Sequence, residues 1–304
     1  MNNLFEETRA IVENLKRNGF AKGSYPLLTQ SEIDELESLI EKCFNENSHE
    51  SNFSADAPTL LSLIGRDDRI DELFHKLLCS KEVKQILSAI LGDNLKVWQV
   101  NVRKSICGDP GLYLHQDSYG ETNFVFLLKS QKGKEGNTAF LPCSHLIPRW
   151  AKNISWAQIG ISKFFLKPFE GNRGEFGFFF NKTWHARFPN REESKLIILC
   201  SFFPEGGVFK PDVKMQEALQ RIKQNELRDL LSVKNGVDHL PDGRVKVLPK
   251  SGRKEVPFAV RIEQSSAVNL AVMHLYVLIF FLELFFKPLQ IFYRTLKKIK
   301  TKMA

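Results

Sequence analysis

Three residues of this sequence have the types and the spacing of ligands to one metal ion. His115 and Asp117 stand two positions apart in YLHQDSYG, where a strand-like stretch ends. Side chains at positions i and i+2 of a strand point to the same face, so an imidazole and a carboxylate can meet there. A third ligand has to come from another strand, and His185 in FNKTWHARF is the candidate. Two histidines and one carboxylate on one face of an octahedron are typical of non-haem Fe(II) oxygenases.

The His-x-Asp pair alone is a weak signal, because the same spacing is common in proteins that bind no metal. Both residues could be ordinary polar groups at the end of a strand. The position of His185, which also follows a strand-like stretch, strengthens the metal interpretation without excluding the other one.

The elements around these residues are predicted by hydrophobic periodicity. Apolar residues have helical spacing in residues 3–18, 31–45, 67–92 and 211–233. The middle of the chain instead has short runs of Phe, Val and Ile separated by Gly, Pro and Asn, as in β sandwiches and barrels. These runs are residues 95–102, 122–128, 138–141, 163–166, 175–180 and 195–203. We therefore expect a mostly β core with flanking helices.

This pattern divides the chain into four parts. The parts are a helical N-terminal flank (1–94), the β core (95–205), a helix with a basic connector (206–258), and an apolar and basic tail (259–304). The tail holds six basic residues and no acidic residue after position 286, and without them the balance is 37 basic to 35 acidic residues. The net charge of +8 therefore does not indicate a nucleic-acid partner. Five widely spaced cysteines without a CxxC pair favour reduced thiols.

Three stretches resemble the phytanoyl-CoA dioxygenase family of Fe(II)/2-oxoglutarate-dependent oxygenases. They are LHQDSYG, GNTAFLPCSH and GEFGFFFNKTWHARFPN, and the resemblance extends over about residues 10–205. It implies that His115, Asp117 and His185 are the metal ligands. It also implies a double-stranded β-helix, a jelly-roll or cupin-like barrel, with iron near one mouth. The implied cofactor is Fe(II), with 2-oxoglutarate and O2 as co-substrates that leave as succinate, CO2 and a hydroxyl group on the substrate.

The residue that would anchor 2-oxoglutarate departs from the family pattern. Members of the family usually have an arginine about ten residues after the distal histidine, and here that position is Lys195. A lysine offers a point charge but not the two-pronged hydrogen bonds of arginine. We expect Arg187 or Lys195 to pair with the far carboxylate, with Arg191 third, although each could be a solvated charge.

A second set of polar residues alternates along one predicted strand. In WQVNVRK, the side chains of Gln99, Asn101 and Arg103 share a face. Facing inward, Gln99 and Asn101 would bind co-substrate or substrate, and facing outward they would be solvated. We interpret His145 as a structural turn residue rather than a fourth ligand.

The C-terminal part predicts association with a membrane. Residues 267–286 are almost continuously apolar, and residues 287–304 repeat basic side chains every three or four positions. An amphipathic basic helix of this kind lies in the interface of an anionic bilayer. The alternatives are a single spanning helix over residues 267–286, which is just long enough to cross a bilayer, and a helix pair packed on the barrel or in a dimer.

Together, an oxygenase site and a membrane anchor favour a lipid-linked substrate. The chain is similar to bacterial hydroxylases of Kdo, the sugar acid of the lipid A–core region of lipopolysaccharide. Arg103, Arg149 and Arg173 could attract its carboxylate and phosphate groups. The resemblance implies action at the cytoplasmic face of the inner membrane. The alternatives are a hydroxylase of a lipid acyl chain and a non-catalytic, membrane-associated binding barrel, and the oligomeric state stays open.

Overall fold

Two antiparallel sheets form the centre of the protein in the computed structural model. The model describes residues 2–46, 58–61, 63–117, 120–147, 164–204, 217–232 and 258–264, and also residues 274, 277–279, 281, 282 and 285. The large sheet has the order β1-β8-β5-β10-β3-β2, and the small sheet has the order β4-β9-β6-β7. The strands are β1 (Phe20–Gly23), β2 (Thr59–Leu61), β3 (Leu95–Ser105), β4 (Leu112–His115), β5 (Thr122–Leu127), β6 (Thr138–Phe140), β7 (Lys167–Pro168), β8 (Phe176–Phe180), β9 (His185–Arg187) and β10 (Lys195–Pro204).

Helices flank the sheets, mostly before the third strand. They are α1 (Asn2–Asn18), α2 (Gln30–Glu46), α3 (Asp68–Leu78), α4 (Lys81–Leu91), α5 (Asn225–Leu231) and α6 (Phe258–Gln264). The predicted helix over residues 67–92 is two helices. Asp67 accepts hydrogen bonds from the backbone of Arg69 and Ile70 at the start of α3, and the hydroxyl of Ser80 accepts one from Val83 at the start of α4. A serine at this position favours a new helix start over continuation, because it satisfies a free N–H group.

The alternation of side chains along the strands separates three apolar regions. On the large sheet, one face packs against α1–α4 through residues such as Val102, Phe126 and Ile198. The opposite face contributes Val125 and Phe179, among others, to a cluster between the two sheets. The outer face of the small sheet forms a third cluster, which is Leu114, Ala139, Leu141, Ile147, Leu166, Trp184, Ala186, Phe188 and Ile279.

This jelly-roll-like arrangement confirms the predicted core of antiparallel sheets with flanking helices. Two predicted elements differ from the structure. The strand predicted at 163–166 is Lys167–Pro168 in the structure. It lies directly after the predicted range, where β6 provides its pairing partners. In the described part of predicted helix 211–233, residues 217 and 218 are helical, a turn follows, and α5 begins at Asn225, while residues 211–216 and 233 lie outside the described residues.

Most of the predicted membrane-associating tail lies outside the described residues. Within the described part of the chain, no helix combines the length and the hydropathy that crossing a bilayer requires. Ile279 is 1% exposed and packs on the outer face of the small sheet.

Candidate metal centre

The two candidate histidines lie opposite each other on neighbouring strands. His115 is the last residue of β4 and His185 is the first residue of β9, and their Cα positions pair across the antiparallel ladder. The preceding residues Leu114 and Trp184 belong to the cluster on the outer face of the small sheet. Because side chains alternate along a strand, the two histidines point to the inner face. Their ring centroids are 4.3 Å apart.

Asp117 completes the cluster predicted from the sequence. Its two carboxylate oxygens lie 3.4 Å from Nε2 of His115 and 3.2 Å from Nε2 of His185. One potential ligand atom from each of the three residues lies within 4.8 Å of the others. The structure therefore brings together the three side chains that the sequence analysis proposed as ligands.

The loop between β4 and Asp117 is held against the loop that precedes β9. The amide of Gln116, which is buried, donates to the backbone carbonyl of Lys182. The backbone N–H of Asp117 donates to the carbonyl of Asn181 over 3.0 Å. These bonds fix the carboxylate in front of the two imidazoles.

Both imidazoles are oriented for coordination through Nε2. The Nδ1 atom of His115 lies 2.6 Å from the carbonyl of Tyr113, and Nδ1 of His185 lies 2.8 Å from the carbonyl of Thr183. A carbonyl only accepts, so each Nδ1 carries the proton and donates it. In metal-binding histidines generally, a hydrogen bond from the nitrogen that does not bind the metal fixes the orientation and the tautomer of the ring. The donor set and its orientation thus fit a divalent iron ion with open positions.

The electrostatics of the cluster favour charged groups. Burial alone would raise the pKa of Asp117, but the adjacent His185 and His115 outweigh it and hold that pKa well below its usual value. Burial alone would lower the pKa of His115, and its hydrogen bond to Asp117 and the carboxylate charge raise it instead. A metal cation between the three groups would likewise stabilise the charged form of Asp117.

A narrow cavity of about 60 Å³ opens beside the three ligands. Its wall contains two arginines, one threonine and apolar side chains. The lining residues other than the ligands are Arg103, Leu112, Val125, Thr138, Phe179, Ala186, Arg187, Ile197 and Leu199. An apolar wall with a few positive groups is of the kind that binds a carboxylate next to a metal, but the volume is well below the roughly 300–1,000 Å³ of usual ligand pockets.

The two arginines of this wall have different surroundings. Arg187 is 2% exposed, and its Nη2 lies 2.9 Å from a carboxylate oxygen of Asp109, which is equally buried. Asp109 also accepts from the hydroxyl of Ser105 at 2.7 Å. Arg103 has a buried Nε with no hydrogen-bond partner among the described residues. Burial, helped by the nearby Arg187, lowers the pKa of Arg103 to about 10, so it stays a cation at neutral pH.

The other predicted site residues lie at different distances from this cavity. Asn101 is 8% exposed, and its Oδ1 has no hydrogen-bond partner within the described ranges. It shares a strand face with Arg103, as predicted. The side chain of Gln99 lies outside the described residues. Lys195 is buried at the start of β10, 3.8 Å from Glu193, and is not part of the cavity lining.

The remaining candidates lie outside the cavity. Arg191 is exposed. Arg173 pairs with Asp34 and Glu37 of α2, and Arg149 lies outside the described residues. His145 is fully buried, and its Nε2 donates to the carbonyl of Lys16 at the end of α1 over 2.9 Å, in agreement with a structural role.

Sequence reasoning missed two features of the site. It placed Arg103 on one strand face with Gln99 and Asn101, but it named only the latter two as co-substrate residues and assigned Arg103 to attraction of the substrate, whereas Arg103 lines the cavity. Asp109, the partner of Arg187, lies in the loop sequence SICGDPG, where no spacing connects it to a residue of β9. Only the pairing of β4 with β9 brings the two together.

Comparisons with known proteins give the fold a context. Neither a protein-family model nor a curated protein matches the chain. A similar solved structure is the non-haem alpha-ketoglutarate-dependent carbocyclase SnoK from nogalamycin biosynthesis. It has a TM-score of 0.56 and 12% identity, over 76% of this chain and 94% of SnoK.

Two further solved structures are similar to the chain, with comparable TM-scores and comparably low identities. HygX from Streptomyces hygroscopicus, solved with nickel, 2-oxoglutarate and hygromycin B, has a TM-score of 0.54 and 11% identity, over 75% of this chain and 96% of HygX. The non-haem monooxygenase ThoJ has a TM-score of 0.51 and 16% identity, over 72% of this chain and 95% of ThoJ. Identities this low establish a common architecture. The chain thus shares the fold of these non-haem oxygenases.

Proposed function

We propose that this protein is an Fe(II)- and 2-oxoglutarate-dependent dioxygenase that hydroxylates a lipid-linked substrate at a membrane surface. The observation that carries the proposal is the convergence of His115, Asp117 and His185 beside a cavity with a positively charged wall. The fold shared with non-haem oxygenases supports it. A barrel that only binds a partner would have no need of this complete and oriented ligand set.

The three ligands would hold the ferrous ion on one face and leave its other positions to the co-substrates. When bound, iron and 2-oxoglutarate would activate O2. One oxygen atom would be inserted into a C–H bond of the substrate, and 2-oxoglutarate would leave as succinate and CO2. The protein's own part is geometry. Gln116 and the backbone of Asn181 fix Asp117, and the carbonyls of Tyr113 and Thr183 fix the two rings.

Arg103 and Arg187 are the proposed anchors of the far carboxylate of 2-oxoglutarate. Both line the cavity beside the ligands, and a guanidinium can grip a carboxylate through two parallel hydrogen bonds. Because the Nη2 of Arg187 contacts Asp109, that ion pair positions Arg187, and Arg103 would make the main contact. Lys195, the alternative from the sequence, is buried but is not among the residues that line the cavity.

Membrane association would come from the C-terminal part of the chain. Ile279 attaches this part to the outer face of the sheet that carries both histidines. The nearby Val277, Leu278, Phe281 and Phe285 are exposed, with Phe285 70% exposed. Exposed apolar side chains followed by the basic residues of 287–304 fit a helix lying in an anionic interface. The expected location is the cytoplasmic face of the inner membrane.

The proposed substrate is the Kdo sugar of lipopolysaccharide. Its support is the resemblance of the iron motif to Kdo hydroxylases, together with the apolar and basic tail that would bring the enzyme to a glycolipid. An acyl chain of the lipid is the alternative site of hydroxylation, favoured by the same tail.

Mass spectrometry of glycolipids tests this function. Extracts from cells with the wild-type gene should contain a species with one additional oxygen atom, and extracts from cells with the Asp117→Ala variant should lack it. Fragmentation then shows whether the oxygen lies on the core sugar or on an acyl chain. If the extracts do not differ, and the purified protein with Fe(II), O2 and glycolipid forms no succinate, the assignment is wrong.

A further inference from the structure

A second cluster of metal-ligating side chains lies on the helical flank, away from the barrel. His75 and Cys79 stand four positions apart at the end of α3, and Glu226 lies in the first turn of α5. One potential ligand atom from each of these residues lies within 4.8 Å of the others. The proposed oxygenase function uses none of them.

Helix geometry explains why the two residues of α3 converge. Positions i and i+4 lie one above the other on the same face of a helix. Cys79 ends α3, and its N–H donates to the carbonyl of His75, so the helical turn is complete between them. The pairing of His75 and Cys79 is therefore set by α3 alone, and the packing of α5 against α3 adds Glu226.

The carboxylate of Glu226 has one oxygen directed at this cluster. Its Oε2 lies 3.0 Å from Nε2 of His75, while its Oε1 contacts the ammonium group of Lys84. A carboxylate that ligates through one oxygen commonly has the other held by a hydrogen bond, which orients it. Lys84 takes up this second oxygen, and its positive charge competes with a cation at the site.

We propose that His75, Cys79 and Glu226 form a Zn(II) site that links α3 to α5. Thiolate, imidazole and carboxylate are the three ligand types that zinc takes from proteins, and zinc prefers four ligands in a tetrahedron. The side chains of His75 and Glu226 are 33% and 53% exposed, so water can supply the fourth ligand. Binding releases the thiol proton of Cys79 to solvent, and the resulting thiolate ligates the metal.

Electrostatics favours the carboxylate ligand of this site and opposes the thiolate ligand. Lys84 lowers the pKa of Glu226, against a smaller opposing effect of burial, so the carboxylate is ionised at neutral pH. Burial raises the pKa of Cys79 to about 12, so a metal ion has to displace its proton. A soft sulfur ligand favours zinc over the iron that the two-histidine, one-carboxylate cluster selects.

Titration of the full chain with Co(II), a spectroscopic substitute for zinc, tests the site. Thiolate-to-Co(II) charge transfer gives an intense near-ultraviolet band, which the His115/Asp117/His185 cluster cannot produce because it contains no sulfur. We expect the band in the wild-type protein, its loss on adding Zn(II), and its loss in Cys79→Ser. Cys107→Ser is the matched control, because Cys107 is exposed and outside the cluster, and it should keep the band.

A second pair of variants keeps the sulfur and tests the other ligands. Glu226→Gln should weaken Co(II) binding at least tenfold, and Lys84→Met should strengthen it because the competing charge is removed. The site is refuted if saturating Co(II) gives no thiolate band, or if the band persists unchanged in Cys79→Ser. Iron binding by His185 and its partners should be the same in all these variants, so the outcome is independent of the proposed oxygenase function.

Discussion

At the scale of single residues, the site combines groups that sequence spacing predicts with groups that it cannot. His115 and Asp117 are close in sequence, so a strand end already brings them near each other, and the loop before β9 then fixes Asp117. The partnership of Arg187 with Asp109 depends on the packing of a loop against β9. The two arginines of the cavity should respond differently to substitution, because Arg187 has an ion-pair partner in Asp109 and Arg103 has a buried Nε without a hydrogen-bond partner among the described residues.

Arg187→Met should unfold more easily, whereas Arg103→Met should bind 2-oxoglutarate less tightly. The first change leaves the buried carboxylate of Asp109 without its ion-pair partner, which typically costs about 3–5 kcal/mol. The second removes charge-assisted hydrogen bonds worth about 1.5–3 kcal/mol, or roughly ten- to a hundredfold in affinity. Urea denaturation and calorimetric titration of the iron-loaded protein with 2-oxoglutarate measure the two effects. Equal 2-oxoglutarate affinity in wild type and Arg103→Met would contradict the anchor assignment.

His145 should make the folded state less stable in acid. Burial lowers its pKa from 6.5 to about 4, against the hydrogen bond to the carbonyl of Lys16, and the charge of Lys182 lowers it further. Between pH 6.5 and 4 the unfolded chain then binds more protons than the folded one, so stability falls as the pH falls, by about 3 kcal/mol at most. His145→Gln keeps a donor for the Lys16 carbonyl and does not titrate. Urea denaturation at pH 7 and pH 4.5 should show a smaller loss for this variant than for wild type.

At the scale of elements, the metal centre depends on the close pairing of β4 with β9. Gly111 precedes β4 with a φ of +81°, and a Cβ there would lie 2.2 Å from the carbonyl oxygen of Arg187. Only glycine accepts both this conformation and this approach. The close pairing of β4 with β9, which places His115 opposite His185, therefore requires a glycine at position 111.

Gly111→Ala should weaken iron binding as well as stability. The strained backbone costs about 1–3 kcal/mol, and the clash pushes β4 away from β9, which separates the two histidines. Gly108→Ala is the control, because Gly108 also has a positive φ but its Cβ would meet nothing within 4 Å among the described residues. Iron titration of both variants should show a loss of affinity only in Gly111→Ala.

The sequence predicts these elements well where one hydrophobic periodicity continues along the whole element. It predicts them less well where a capping residue sets a helix boundary or where a distant strand sets the position of its partner. Residues 3–18 and 31–45 have an unbroken helical pattern and agree with α1 and α2. The break between α3 and α4 follows from the capping by Ser80, which the apolar spacing of residues 67–92 does not reveal. The short β7 is a strand only because β6 lies beside it, so its exact position could not be read from residues 163–166.

At the scale of the whole molecule, the protein would combine the fold of the non-haem oxygenases with the C-terminal part that we propose binds a membrane. Ile279 connects the two, because it packs on the sheet that holds the ligands. Docking through the neighbouring exposed residues would place that sheet close to the bilayer, where the proposed glycolipid substrate would lie.

Sedimentation with lipid vesicles tests this docking. The protein should sediment with anionic vesicles, less so at high salt, and hardly with neutral ones, because each basic residue near an anionic surface contributes about 1 kcal/mol. A variant with Phe281 and Phe285 changed to Asp should lose binding and keep its fold, since Ile279 is retained. Equal sedimentation of this variant and wild type would show that these residues do not contact the membrane.

The central claim is that three side chains from β4, its following loop and β9 bind one ferrous ion together with 2-oxoglutarate. Absorption spectroscopy under anaerobic conditions measures this directly. We expect a visible charge-transfer band when both Fe(II) and 2-oxoglutarate are added to the wild-type protein, and no such band with either one alone or in Asp117→Ala. No band at saturating concentrations of both, or the same band in Asp117→Ala, would contradict the account.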